Sequence, residues 1–312
     1  MNTILLGAAG FIGTNLALAI MKQKDITLTL VDKRTDYFIS ELQKAEGKVV
    51  IVESEMNEHT DFDSLIRGQE QVFHLMSTTV PSTSNQQIPE ELTANVVVTA
   101  KLLDACVRCG VKKVVFISSG GTVYGKETNC PLKENTPTNP ISSYGVQKVT
   151  IEKLLYLYHY LYGLDYRIVR LANPYGPYQR PNGVLGAVTT FTYKALKGEK
   201  IVVYGDGSVV RDFIYIDDAI NGILKIANGT GMHRIYNLGC GRGVSINQVL
   251  NAIQKAVETD LQVKYIEARS VDVPVNYLNI ERYELDYGPL NPVSLEDGIK
   301  KTAKFMRTFY QI

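Results

Sequence analysis

Along the first half of the chain, short runs of consecutive apolar and β-branched residues alternate with longer stretches whose apolar positions recur every three or four residues. The short runs fall at residues 3–6, 26–32, 48–52, 71–75, 113–118 and 166–171. Apolar side chains at neighbouring positions suit strands covered on both faces. Helical spacing is predicted at 11–24, 40–45, 62–67, 89–109 and 142–162. Strand–helix–strand alternation predicts an α/β fold, a doubly wound parallel sheet with right-handed crossovers.

After residue 171 the texture changes. Asn173-Pro174-Tyr175-Gly176-Pro177 and Arg180-Pro181-Asn182-Gly183 are rich in turn formers, and shorter elements follow. Helices are predicted near 185–197 and 246–258, and strands near 201–204, 213–215 and 235–238. The expected division is a dinucleotide-binding domain over 1–171 and a smaller substrate domain over 172–312, with some later elements returning to the first.

Composition narrows the function classes. The 312 residues carry 33 Lys+Arg against 32 Asp+Glu, so no basic footprint for nucleic acid exists. An apolar content of 45% excludes intrinsic disorder. Cys106, Cys109, Cys130 and Cys240 are too few for a disulfide scaffold. Cys106 and Cys109 form a C-x-x-C without a second pair or a nearby His, and read as helix packing residues; no metal is expected. The apolar stretch 4–20 lacks a basic flank and is broken by glycines, so it does not read as a signal peptide. No run reaches the ~20 apolar residues of a membrane span. A cytoplasmic protein without membrane contact is expected.

Gly7-Ala8-Ala9-Gly10-Phe11-Ile12-Gly13 joins the first strand to the first helix. Glycines at this spacing permit a tight turn, a close backbone approach to a diphosphate and close helix–strand packing. The helix N-terminus offers free N–H groups to the phosphates, as in a Rossmann dinucleotide site. Asp32 ends the second strand 19 residues past Gly13, where a carboxylate accepts hydrogen bonds from ribose hydroxyls. It would repel a 2′-phosphate, which favours NAD; the adjacent Lys33 and Arg34 leave NADP open.

Tyr144 and Lys148 stand one helical turn apart. A phenol of ordinary pKa ~10 is a poor base at neutrality, and lowering it by ~3 units takes about 4 kcal/mol. Lys148 and an oxidised nicotinamide are the expected sources.

With these motifs the sequence resembles, essentially end to end, the extended short-chain dehydrogenase/reductase family in its nucleotide-sugar epimerase and dehydratase branch. The likeness also rests on Val72-Phe73-His74-Leu75, Val115-Phe116-Ile117-Ser118-Ser119, Thr122-Val123-Tyr124-Gly125, Arg170-Leu171-Ala172 and Tyr204-Gly205-Asp206-Gly207 with Arg211-Asp212-Phe213-Ile214.

The resemblance implies Tyr144 as acid/base and Lys148 as its modulator. Cofactor contacts are implied for Gly7, Gly10, Phe11, Ile12, Gly13, Asp32, Lys33, Glu55, Met56, Leu75, Met76, Ser77, Asn95 and Ser118. The family's catalytic Ser or Thr falls on Gly120, so Ser119, Thr122 or a water is expected to supply that hydroxyl. For the substrate it implies Asn173, Val184, Leu185, Tyr204, Arg211, Arg269, Asp272 and Asn276. Asn276 falls where galactose-restricted members carry a Tyr, which suggests room for a 2-acetamido sugar unless Tyr277 fills it.

Dehydratases of the branch carry Asp and Glu where Gly121 and Thr122 stand, so dehydration is disfavoured. The implied activity is NAD-dependent 4-epimerisation of a UDP-hexose or UDP-N-acetylhexosamine. A nucleotide-sugar reductase or decarboxylase, or a dinucleotide-binding protein without turnover, are the alternatives. The excess of Tyr and Leu over 154–162 suits a subunit interface, and the resemblance implies a homodimer through a four-helix contact.

Overall fold

The computed structural model describes residues 1–45, 47–81, 83–127, 129–181, 186–268 and 273–312. In chain order the first elements are β1 (Asn2–Leu6), α1 (Phe11–Met21), β2 (Thr27–Asp32), α2 (Ser40–Gln43), β3 (Val49–Glu53) and α3 (Phe62–Ile66). Next come β4 (Gln71–His74), α4 (Ile88–Leu92), α5 (Val98–Arg108), β5 (Lys113–Ser119), α6 (Ser143–Tyr162) and β6 (Asp165–Leu171). The second half holds β7 (Asn173–Tyr175), α7 (Ala187–Leu196), β8 (Ile201–Tyr204), β9 (Val210–Arg211), β10 (Phe213–Tyr215), α8 (Ile216–Asn228) and β11 (Ile235–Leu238). It ends with β12 (Val244–Ser245), α9 (Ile246–Val257), β13 (Val263–Ile266), β14 (Val275–Asn276), α10 (Glu281–Tyr287) and α11 (Leu295–Tyr310).

A seven-stranded sheet in the order β11-β6-β5-β4-β1-β2-β3 forms the centre, parallel at every pairing. Its strands are apolar on consecutive positions because both faces are covered. Ile4, Leu5 and Leu6 are all fully buried, with Leu5 in one core cluster and Ile4 and Leu6 in the other. The predicted doubly wound sheet is therefore present, and β11 extends it from beyond residue 172. Smaller strand groups lie apart from it: β10 with β7, β12-β9-β14, and β13 with β8.

Two departures from the sequence expectation have physical causes. The helix expected over 89–109 is interrupted by a π-helical segment, Thr93–Val97. There Asn95 donates Nδ2–H to Glu91 O at 2.9 Å and to Thr78 Oγ1 at 2.8 Å, so the bulge turns its amide toward the loop after β4. The helices α8 and α11 were not anticipated. Yet Ile216, Ala219, Ile220, Ile223, Ile226 and Ala227 keep strict helical spacing and are all buried. Ser294 caps α11 by accepting from Asp297 N at 3.1 Å, a signal available in the sequence. Among the described residues, no helix is long and apolar enough to cross a membrane.

Candidate active site

The carboxyl ends of β1, β2, β4 and β5 bring the first group of functional residues together. Gly7 takes φ +85°, and a Cβ there would stand 3.0 Å from Met76 N. At Gly13 a Cβ would stand 2.5 Å from Ala8 O. These two glycines are demanded by the chain itself. Gly10 is different, since a Cβ would meet only Gly7 O, at 3.5 Å. It is the N-cap of α1, has no side chain to cap with, and no acid stands in the first turn. The N–H groups of Phe11, Ile12 and Gly13 therefore have no capping side chain from residue 10, an arrangement suited to an anion.

Asp32 Oδ2 accepts from Ala9 N at 3.0 Å, and Oδ1 from Arg34 N at 3.2 Å, so the carboxylate fixes the glycine turn. Its neighbouring cations have carboxylates of their own. Lys33 Nζ pairs with Glu55 at 3.3 Å, and Arg34 grips Asp36 through two bonds of 2.8 and 2.7 Å. Glu55, Met56, Thr78, Thr93 and Val98 line part of a cavity of about 410 Å³.

The loop after β4 passes beside the glycine turn. Leu75 N donates to Leu6 O at 3.0 Å, Met76 is buried, and Ser77 Oγ donates to Thr79 O at 2.7 Å. Asn95 Oδ1 accepts from Thr78 N at 2.9 Å and holds this loop. A second chain of bonds reaches the same place. Thr99 Oγ1 donates its one proton to Asn95 O at 2.5 Å, so it must accept from His74 Nε2–H at 2.8 Å. That leaves His74 Nδ1 unprotonated and without a partner among the described residues, and burial pushes the imidazole down to about 3.

Ser142 starts α6 by accepting from Gly145 N, and this turn carries Tyr144 and Lys148. Tyr144 is half-buried and Lys148 buried. Lys148 Nζ donates to Ile117 O at 3.0 Å and lies 5.5 Å from the Tyr144 ring centroid and 4.7 Å from that of Phe116. Both groups are shifted by burial in the polypeptide alone. Burial raises Tyr144 to about 12 and lowers Lys148 to about 8. Desolvation favours the neutral form of each group, so a phenolate here calls for a further cation, which the expected nicotinamide would supply.

Gly120 turns out not to be a gap. A Cβ at 120 would fall 2.5 Å from Leu278 Cδ1, so that position faces packed side chain. Thr122 Oγ1, by contrast, is buried without a hydrogen-bond partner among the described residues, and Ser119 ends β5 half-buried. Ser118 is committed elsewhere: its Oγ donates to Glu152 at 2.6 Å, and Glu152 takes a bidentate pair from Arg170 at 2.6 and 3.0 Å. Sequence reasoning missed Glu152, although it stands one turn past Lys148.

In the second half, register pairs Asn276 on β14 with Arg211 on β9. Asn173 donates both N–H and Nδ2–H to Asp212 O, at 3.0 and 2.8 Å. Asn173, Arg211 and Asn276 are thus drawn together, whereas Tyr204 ends β8 in a separate strand pair. Arg211 donates to Val210 O and Val273 O at 2.8 and 2.6 Å. Asn276 is 2% exposed and its Nδ2 has no partner among the described residues. Val184, Leu185, Arg269 and Asp272 lie outside the described residues.

Asp212 knits this half. Its carboxylate accepts from Cys240 N at 2.7 Å and from Gly241 N and Leu278 N at 3.2 Å, and burial raises it to about 6.

A glycine turn under an unshielded helix end, an acid closing β2, and a Tyr–Lys pair opening the helix after β5 define a dinucleotide-dependent enzyme of the Rossmann class. Residues 3–239 match the model of the NAD dependent epimerase/dehydratase family, and the chain belongs to that family. It is 33% identical to the UDP-glucose 4-epimerase of Mycolicibacterium smegmatis, over 98% of this chain and 99% of that one. The UDP-glucose 4-epimerase of Thermotoga maritima, solved with UDP-glucose, superposes with a TM-score of 0.92 at 30% identity, covering 99% of this chain and 100% of that chain. The UDP-glucuronic acid 4-epimerase of Bacillus cereus, solved with UDP-glucuronic acid and NAD, gives 0.89 at 25% identity over 99% and 100% of the two chains.

Proposed function

We propose that this protein is an NAD-dependent nucleotide-sugar 4-epimerase acting on a UDP-sugar. The observation that carries the reading is that the glycine turn follows β1 and the Tyr144–Lys148 pair follows β5 of the same parallel sheet, in a chain matched end to end by 4-epimerases. The residues fit a dinucleotide: the α1 end is uncapped, Gly10 leaves its side open, and Asp32 is poised over the turn. Lys33 and Arg34 are already paired with acids, which supports NAD over its 2′-phosphorylated form.

NAD, when bound, supplies reversible hydride acceptance and a cationic ring. Gly7, Gly10, Phe11, Ile12 and Gly13 hold its diphosphate, and Asp32 its ribose. Met56, Met76 and the Asn95-held loop bound the rest of the cleft. Tyr144 Oη would take the proton of the sugar C4 hydroxyl as the C4 hydrogen leaves as hydride, and give it back to the same oxygen once that hydrogen has returned to the opposite face of C4. Lys148 orients the phenol and shares its charge. Thr122 Oγ1 and Ser119 stand ready to steady that proton, because Gly120 is filled by Leu278.

Arg211 and Asn173 anchor the UDP diphosphate while the sugar is left free to turn, so binding strength sits on the part that does not react. Asn276 offers an unspent buried amide near them, which supports acceptance of a 2-acetamido group. Residues 172–312 form the substrate domain in this reading.

The protein acts as a cytoplasmic homodimer. On α6, Leu155 and Tyr158 face the core, whereas Tyr156, Leu157, Tyr160 and Leu161 are 58%, 44%, 76% and 54% exposed. An apolar face of that extent suits a second copy.

Tyr144→Phe tests the activity. The variant is expected to retain NAD and lose at least about 10²-fold in interconversion of UDP-glucose and UDP-galactose or of their N-acetyl forms. Unchanged conversion overturns the assignment.

A further inference from the structure

The glycine turn, Gly7 to Thr14, carries no charged side chain of its own. A guanidinium is nevertheless brought to it from far along the chain. Arg180 Nη2 donates to Ala9 O at 3.4 Å, and its guanidinium carbon lies 3.5 Å from the Tyr37 ring centroid. The guanidinium of Arg34 lies 4.0 Å from the same ring. Arg34 is fixed by its bidentate bond to Asp36, so Tyr37 is held as a platform for Arg180.

The segment bearing Arg180 is anchored on independent sides. Asn15 Nδ2 donates to Pro177 O at 3.0 Å, Tyr178 packs on Phe305 at 4.8 Å, and Gln179 donates to Pro174 O at 3.2 Å. Tyr178 accepts a left-handed φ of +67° to do so, a conformation a bulky residue adopts only under constraint.

We propose that Arg180 and Tyr37 form a clasp over the glycine turn that retains the dinucleotide. Arg180 lends positive charge to the diphosphate and blocks its exit, and Tyr37 positions Arg180 by stacking. Neither residue meets the sugar, so the clasp governs cofactor residence and not the proton chemistry. The inference rests on the NAD reading above. It gives an enzyme that oxidises and reduces within each turnover the slow cofactor loss that such chemistry requires.

The test is the release rate of NAD from the full chain, followed by displacement with labelled NAD, together with the melting temperature. Arg180→Ala and Tyr37→Leu are expected to release NAD about tenfold faster. Tyr37→Phe, which keeps the stacking ring, is expected to release it at the parent rate. The parent affinity should fall with added salt more steeply than that of Arg180→Ala. If the parent protein binds no NAD, the functional reading and the clasp both fail. If the parent binds NAD but Arg180→Ala releases it no faster, the clasp alone is overturned, whether or not the melting temperature falls.

Discussion

The two halves of the chain hold their candidate site residues by different means. In the first, the glycine turn, Asp32 and the Tyr144–Lys148 pair stand at the carboxyl ends of parallel strands or in the first two turns of the helix that follows. The turn between β1 and α1 is fixed by Val31 O, which accepts from Gly7 N and Ala8 N at 2.9 and 3.1 Å, and by Asp32. In the second half, the strands carrying Asn173, Arg211 and Asn276 are two or three residues long. Such strands cannot hold register alone. They converge on Asp212, whose side chain and main chain together tie residues 173, 240, 241 and 278. Redundant sheet bonding supports the reacting end, while one buried carboxylate supports the anchoring end.

That contrast can be pressed hardest at α6. Lys148→Met should lower turnover by about 10²–10⁴-fold. It should also raise the melting temperature, because a buried ammonium, already pushed down to about 8, is replaced by an apolar chain of similar length. Steady-state rates and thermal unfolding check both parts together.

Next in size is Asp212→Asn, which turns one acceptor oxygen into a donor facing backbone N–H groups. A loss of about 1–3 kcal/mol is expected. KM for the UDP-sugar should rise while NAD content stays at the parent level, as measured by kinetics and by nucleotide released on denaturation. The glycine turn provides a matched pair. Gly13→Ala should cost about 1–3 kcal/mol, since the backbone must move to admit a Cβ. Gly10→Ala should leave unfolding almost unchanged and weaken NAD, as read by equilibrium dialysis.

Acid unfolding probes the buried chain behind the loop. An unfolded His binds a proton near 6.5 and His74 in the fold only near 3, so this group withdraws stability as pH falls across that interval. His74→Gln should flatten the dependence by up to one proton, about 1.4 kcal/mol per pH unit, in denaturant titrations. Asp212 acts oppositely: its raised carboxyl withdraws stability as pH rises from 3.8 to about 6, so the parent and variant must be compared directly. The smallest effect belongs to Lys33→Ala. Its exposed pair with Glu55 is worth at most about 1 kcal/mol, and the preference for NAD should persist by calorimetry.

The same contrast explains what could be read from the sequence. The glycine spacing, Asp32 and Tyr144/Lys148 are local patterns on strongly periodic elements, and all fall at the ends of the expected strands or on the expected helix. The predicted sheet matches β1 to β6 within one residue or two, because consecutive buried apolar positions mark each strand. Asp212 was quoted only as part of a motif, since its partners lie 28 to 66 residues away. Gly120 read as a missing hydroxyl, and Leu278, which occupies that space, is 158 positions distant. The ordinary-looking Arg180 and Tyr37 meet across 143 positions. No spacing rule reaches so far. α8 is the reverse case: its stripe was legible and simply not counted.

The central claim is that the configuration at C4 changes by removal and return of the same hydrogen. Incubating the protein and NAD with UDP-glucose carrying deuterium at C4 tests it directly. The account predicts UDP-galactose that keeps the deuterium at C4, with no net NADH formed. Deuterium lost to water, or NADH accumulating with product, would contradict it.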